Sequence, residues 1–218
     1  AWGKFINAGQ TCVAPDYVFV HEDQRAEFVE AIRLAVKRFY GDRPYESPDY
    51  PRIVHREGTE RLVRLMHSSG QVVIGGEEKY IAPTVLIDVD PNSPIMREEI
   101  FGPILPVLTY REIDDVIRFV NKREKPLALY YFGPEREARE VLNRTSSGGA
   151  CVNDTIVHLA NPRLPFGGVG MSGIGKYHGK ASFELFSNLR SVVKSFTFFD
   201  NHFRYPPYKH LNLLKKFM

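Results

Sequence analysis

The sequence predicts an α/β fold, a three-layer parallel sheet with helices on both faces, followed by a C-terminal oligomerisation strand and tail. Three observations carry that expectation. Short β-branched or aromatic runs recur at residues 17–20, 71–74, 84–87, 104–109, 127–132 and 150–153. Between several of them lie segments with apolar positions three and four apart, the spacing of an amphipathic helix. Strands that alternate with such helices imply βαβ crossovers and a sheet covered on both sides. The 218 residues, with 43% hydrophobic and 25% charged side chains, are ample for one core without a metal or disulfide staple.

Each element has its own local cause. The first strand gives way to the acidic pair Glu22 and Asp23, and then Phe28, Ile32, Ala35, Val36 and Phe39 mark a helical face. Lys37 and Arg38 suit that helix's C-terminal dipole, and Gly41 and Pro44 stop it. A second helix over residues 57–67 carries Leu62, Leu65 and Met66 on one face and ends at Gly70. The strand at 71–74 closes on the Gly75-Gly76 turn. Ile113, Val116, Ile117 and Val120 mark a third helix, and residues 135–144 form a fourth between the last two core strands. Residues 165–179 hold Gly167, Gly168, Gly170, Gly173, Gly175 and Gly179, a density that demands a loop of unusual backbone angles or close backbone approaches. Beyond it, residues 195–199 alternate as a half-exposed strand able to pair with another subunit. The expected division is a layered domain over residues 1–190 and an oligomerisation strand with a basic tail over 191–218.

Composition narrows the function. Lys plus Arg number 29 and Asp plus Glu 26, so the net charge of +3 is too small for a nucleic-acid-binding face. Cys12 and Cys151 are too few for a disulfide framework and show no zinc spacing, so no metal is expected. Two reduced thiols fit a cytoplasmic protein. No apolar run reaches the roughly 20 residues that cross a bilayer. The tail, with Leu211, Leu213, Leu214 and Phe217 among basic residues, would at most rest weakly on a membrane surface, and that association is not favoured.

Three clusters carry chemistry. Cys12 follows Gly9-Gln10-Thr11 and precedes Val13-Ala14-Pro15, a turn that can point a thiol into a cleft; a buried core thiol is the plainer alternative. Cys151 sits inside an apolar strand and fits the plain alternative well. Arg97-Glu98-Glu99-Ile100-Phe101-Gly102-Pro103 reads either as a solvated loop or as a sugar-binding carboxylate beside an aromatic wall. Pro165-Phe166-Gly167-Gly168-Val169-Gly170 lacks the strand-to-helix context of a phosphate-cradling loop and reads as a shaped loop.

Taken together and in this order, Asn7-Ala8-Gly9-Gln10-Thr11-Cys12, Glu98-Glu99-Ile100-Phe101-Gly102-Pro103 and Pro165-Phe166-Gly167-Gly168 resemble the signature segments of the aldehyde dehydrogenase superfamily. Ala1-Trp2-Gly3-Lys4-Phe5, Arg123-Glu124-Lys125-Pro126-Leu127-Ala128-Leu129-Tyr130, Tyr177-His178-Gly179-Lys180 and Arg204-Tyr205-Pro206-Pro207 are similar to its class 3 and fatty aldehyde branch. The resemblance implies oxidation of aliphatic or aromatic aldehydes to carboxylic acids with NAD or NADP. It implies Cys12 as the nucleophile, forming a thiohemiacetal and then a thioester. It implies Glu99 and Phe101 at the nicotinamide ribose and ring, and Phe166, Asn153, Thr155, Ile156 and His158 around the substrate. It further implies a homodimer. The general-base Glu, the oxyanion Asn and the dinucleotide-binding domain of that family precede the cysteine segment and are not among these residues. The chain alone is therefore expected to lack NAD-dependent turnover. A stand-alone pseudoenzyme or dimerisation module, and a Cys12-dependent esterase, are the alternatives left open at this level.

Overall fold

The computed structural model describes residues 1–76, 80–200 and 205–207. A short helix, α1 (Trp2–Phe5), runs into a 3-10 turn, Ile6–Gly9, before strand β1 (Val18–His21). Helices α2 (Arg25–Tyr40) and α3 (Arg56–His67) precede strands β2 (Gln71–Ile74), β3 (Thr84–Ile87) and β4 (Ile104–Tyr110). Then come α4 (Ile113–Asn121), β5 (Ala128–Tyr131), α5 (Glu135–Arg144), β6 (Gly149–Val152), α6 (Val157–Ala160) and α7 (Gly179–Leu185).

The strands form two sheets. One has the order β1-β4-β3-β2, and the other is the pair β5-β6. β1 with β4, β3 with β4, and β5 with β6 are parallel; α5 makes the β5–β6 crossover, whereas a long loop with the 3-10 turn Pro94–Met96 joins β3 to β4. β2 departs from the expected parallel sheet, because it pairs antiparallel with β3. Residues 75–83 are too few for a crossover, which takes about a dozen or more, so the chain can only turn back beside itself.

The three layers follow from the period-2 alternation of the central strands. Ile104 and Leu108 of β4 and Leu86 of β3 pack with Leu62, Leu65 and Met66 of α3 on one face. Leu105 and Val107 of β4 and Val85 of β3 pack with Ile32 and Val36 of α2 on the other. β4 is buried along most of its length because helices cover both its faces.

By compactness the chain divides into Ala1–Leu185 and Phe186–Met218. Among the described residues, every buried hydrophobic side chain belongs to the first unit. In the second, residues 195–199 form no strand, contrary to the alternation. The segment instead exposes Phe196, Phe198 and Phe199, as does Val193 just before it. The apolar tail positions Leu211, Leu213, Leu214 and Phe217 lie outside the described residues. Among the described residues no helix is long and apolar enough to cross a membrane.

Candidate active site

Cys12 occupies the corner of a tight turn. Ala14 N–H donates to the Thr11 carbonyl over 2.9 Å, which leaves Cys12 and Val13 as the two central residues. The Cys12 side is exposed, whereas Val13 is buried. The backbone leading into it is strained: Asn7, Ala8 and Gly9 take φ of 52°, 51° and 71° in succession. Left-handed non-glycine residues are uncommon and persist only where surroundings over-determine them. Here the Asn7 amide donates to the Gln10 carbonyl, and the Gln10 amide donates back to the Asn7 carbonyl, at 2.9 and 3.0 Å. Gln10 also donates to the Arg52 carbonyl and accepts from Val54 N–H. Arg52 in turn lies over the rings of Tyr45 and Tyr80, at 4.6 and 4.9 Å.

Gly9 explains how the second cluster reaches the first. A Cβ there would lie 2.2 Å from the Gly102 carbonyl oxygen, so the two backbones touch only because position 9 has no side chain. Arg61 of α3 holds the rest of that segment, donating to the carbonyls of Glu99 (3.1 Å) and Ile100 (2.5 Å) and pairing with the Glu98 carboxylate (3.3 Å). Glu98 is thereby engaged. The Glu99 carboxylate has no hydrogen bond or ion pair among the described residues and is exposed. Partial burial, then the nearby Asp16, pushes its pKa up, against Arg61 and Lys4. Phe101 has φ of 47° and is exposed, another left-handed non-glycine residue after Asn7 and Ala8.

The third group comes from β5, β6 and the loop after them. The Tyr130 hydroxyl donates 2.6 Å to the Val13 carbonyl, beside Cys12. A Cβ on Gly3 of α1 would lie 2.2 Å from the Thr155 hydroxyl, which seats that residue against the helix preceding the cysteine turn. Ile156 holds φ of 65°, an outlier for a β-branched side chain. Asn153 is spent locally: its amide accepts from Gly133 N–H and donates to the Gly133 carbonyl. His158 is buried, with Nδ1 3.2 Å from the Cys151 thiol. Burial, and secondarily Lys176, lowers its pKa. Phe166 is buried between the rings of His158 and His178, at 6.0 and 5.8 Å, and its backbone bridges to Tyr177. Cys151 is buried, and burial raises its pKa, so the plain alternative holds for it.

Three contributors carried no sequence signal as site residues: Lys4, Tyr130 and Arg61. Lys4 is the least expected, being only 2% exposed. Burial pulls its pKa down to about 8, against the opposing charges of Asp16 and Glu99. Asp16 accepts from Ile100 N–H at 3.0 Å, and its pKa is raised by burial against the pull of Lys4. Among the described residues no cluster of His, Cys, Asp and Glu could hold a metal ion.

A layered α/β domain that presents an exposed thiol on a tight turn, with the backbone of the Glu98–Gly102 segment meeting that turn at Gly9, defines the class as cysteine-bearing α/β domains. Within it this chain belongs to the aldehyde dehydrogenase family, whose model matches residues 1–192. The chain is 50% identical over 220 residues to aldehyde dehydrogenase family 3 member B1 of Rattus norvegicus, covering 98% of this chain and 47% of that protein. It is 50% identical over 214 residues to the dimeric NADP-preferring aldehyde dehydrogenase of Mus musculus, covering 95% and 47%. These matches fit the class 3 branch. In structure it resembles the substrate-bound state of Staphylococcus aureus AldH, with a TM-score of 0.88, 47% identity, and coverage of 99% of this chain and 49% of that one. The chain thus spans about half the length of the curated relatives it matches.

Proposed function

We propose that this chain carries the nucleophile and half of the substrate pocket of an NAD(P)-dependent aldehyde dehydrogenase acting on medium- or long-chain aliphatic or aromatic aldehydes. The observation that carries the reading is Cys12 itself, an exposed thiol fixed at the corner of a strained turn. Its thiolate forms a C–S bond to the aldehyde carbon as the carbonyl electron pair moves onto oxygen. The backbone N–H of Cys12 then donates to that oxyanion, a kind of contact worth roughly 10²–10³ in rate. The nicotinamide dinucleotide, when bound, supplies the acceptor for the hydride that leaves the same carbon. Glu99 and Phe101 would hold its ribose and ring: the one carboxylate is free of partners, and the one ring stands at the rim. Water then cleaves the thioester to the carboxylic acid, with its general base supplied by residues outside these 218.

The substrate's side chain would meet Phe166, Thr155 and Ile156, with Asn153 shaping the loop and His158 backing Phe166. The assembly proposed is a homodimer, supported by the printed description of the mouse relative as dimeric and by the exposed apolar side chains of Val193, Phe196 and Phe198. A cytoplasmic setting is supported by two free thiols. In an enzyme carrying this chain with its cofactor-binding half, Cys12→Ser is expected to lower aldehyde-dependent NAD(P)H formation by about 10³-fold or more, as loss of a covalent nucleophile does. Cys151→Ser should leave it within a few-fold. Retention of turnover in Cys12→Ser would remove the basis of the reading.

A further inference from the structure

We propose that Tyr130 is a positioning residue for Cys12, acting through the Val13 carbonyl. The inference rests on the reading of Cys12 as the nucleophile and goes beyond it by naming what aligns the turn. Tyr130 lies on β5, in the two-stranded sheet, and its hydroxyl reaches 2.6 Å to a carbonyl 117 residues earlier in the chain. That carbonyl belongs to the second central residue of the Thr11–Ala14 turn, immediately after Cys12. Val13 is buried, so its carbonyl loses a protein partner if the hydroxyl is removed. The other side of the turn is held by Gln10 through the Arg52 and Val54 backbone. Cys12 is therefore suspended between two clamps, one from the loop before α3 and one from β5.

The Tyr130 ring is itself fixed. It pairs in register with Cys151 across β5 and β6, and it meets the His158 ring edge-on at 5.9 Å. Burial raises the Tyr130 pKa, against a backbone hydrogen bond from Ile156 that lowers it, in keeping with a hydroxyl that stays protonated. Without the Tyr130 hydroxyl the Val13 end of the turn would relax, while Asn7 and Gln10 still hold the left-handed run before it. Relaxation would move the Cys12 N–H off the oxyanion while leaving the thiol as exposed as before.

That difference sets the test, made on the 218-residue chain. Two rates are measured at Cys12 and located by peptide mass mapping: acylation by a p-nitrophenyl ester, which passes through an oxyanion, and alkylation by iodoacetamide, which does not. Tyr130→Phe is expected to lower the ratio of acylation to alkylation about tenfold, since small misplacements at a reacting centre cost rate steeply. A merely destabilised fold would change both rates together and leave the ratio alone. A ratio within about threefold of the wild type overturns the proposal. If Tyr130→Phe does not fold, 3,5-difluorotyrosine at position 130 keeps the ring and loses its donor as its hydroxyl ionises. The ratio should then fall with rising pH relative to the wild type, and a ratio that tracks the wild type overturns the proposal. Absence of acylation at Cys12 in the wild type itself would instead count against the nucleophile reading.

Discussion

Lys4 shows what the site asks of one residue. A lysine seldom sits fully inside a protein, because desolvating its ammonium is costly. Here it is buried on α1, with Asp16 and Glu99 as the nearby opposite charges and burial still dominant. Because the folded-state pKa, about 8, lies below the ordinary 10.5, the folded chain releases this proton first as pH rises. Between those two values the unfolded chain binds more protons, so this group's contribution to stability grows with pH. Lys4→Met removes that dependence. The expected outcome, read by urea denaturation, is that wild type gains stability relative to Lys4→Met as pH rises from about 8 towards 10. A difference that stays flat across that window would mean that Lys4 is not held as described. Nothing in the sequence marked Lys4 for burial. Gly3 and Phe5 on either side are buried while Trp2 and Ile6 are exposed, and short helices such as α1 take their stability from what they pack against rather than from propensity.

Among the elements, α3 links core to site. Leu62 is completely buried and faces the sheet, yet a Cβ on Gly102 would lie 2.5 Å from its methyl carbons, so the same side chain also supports the loop that touches Gly9. Leu62→Ala is expected to cost about 2–5 kcal/mol of unfolding free energy, the range for a buried leucine truncated without collapse of the cavity. A loss below about 1 kcal/mol in denaturant titration would show that the site is looser than described. The helices and most strands were legible because each obeys a local pattern. The residues of α5 could be read from their flanks, and Leu62, Leu65 and Met66 from helical spacing. The antiparallel turn of β2 was legible in principle from the short 75–83 link. The contacts that assemble the site were not, because Tyr130 and Val13, or Gly9 and Gly102, meet only through the tertiary fold. Position 153 offered an asparagine in a substrate-like place, yet its amide closes on Gly133, a pairing of loop backbone that no spacing announces.

For the whole molecule, two features matter: where burial lies and what the chain contains. No described residue between 186 and 200 is buried, and both sheets lie within Ala1–Leu185. Burial of apolar area is the main stabilising term, so removal of residues 191–218 is expected to change the unfolding free energy of the remainder by no more than about 1 kcal/mol. Unfolding of the shortened chain would contradict that distribution. Its apparent size is the companion reading, since loss of self-association on truncation is what the proposed dimer requires.

Family membership follows from the match over residues 1–192, whereas the chemistry rests on one thiol. The most direct measurement is the intact mass of the 218-residue chain after exposure to a p-nitrophenyl ester, followed by peptide mapping. The account predicts a single acyl adduct, located on Cys12 and absent from Cys12→Ser. Acylation that maps to Cys151, or that survives in Cys12→Ser, would contradict it.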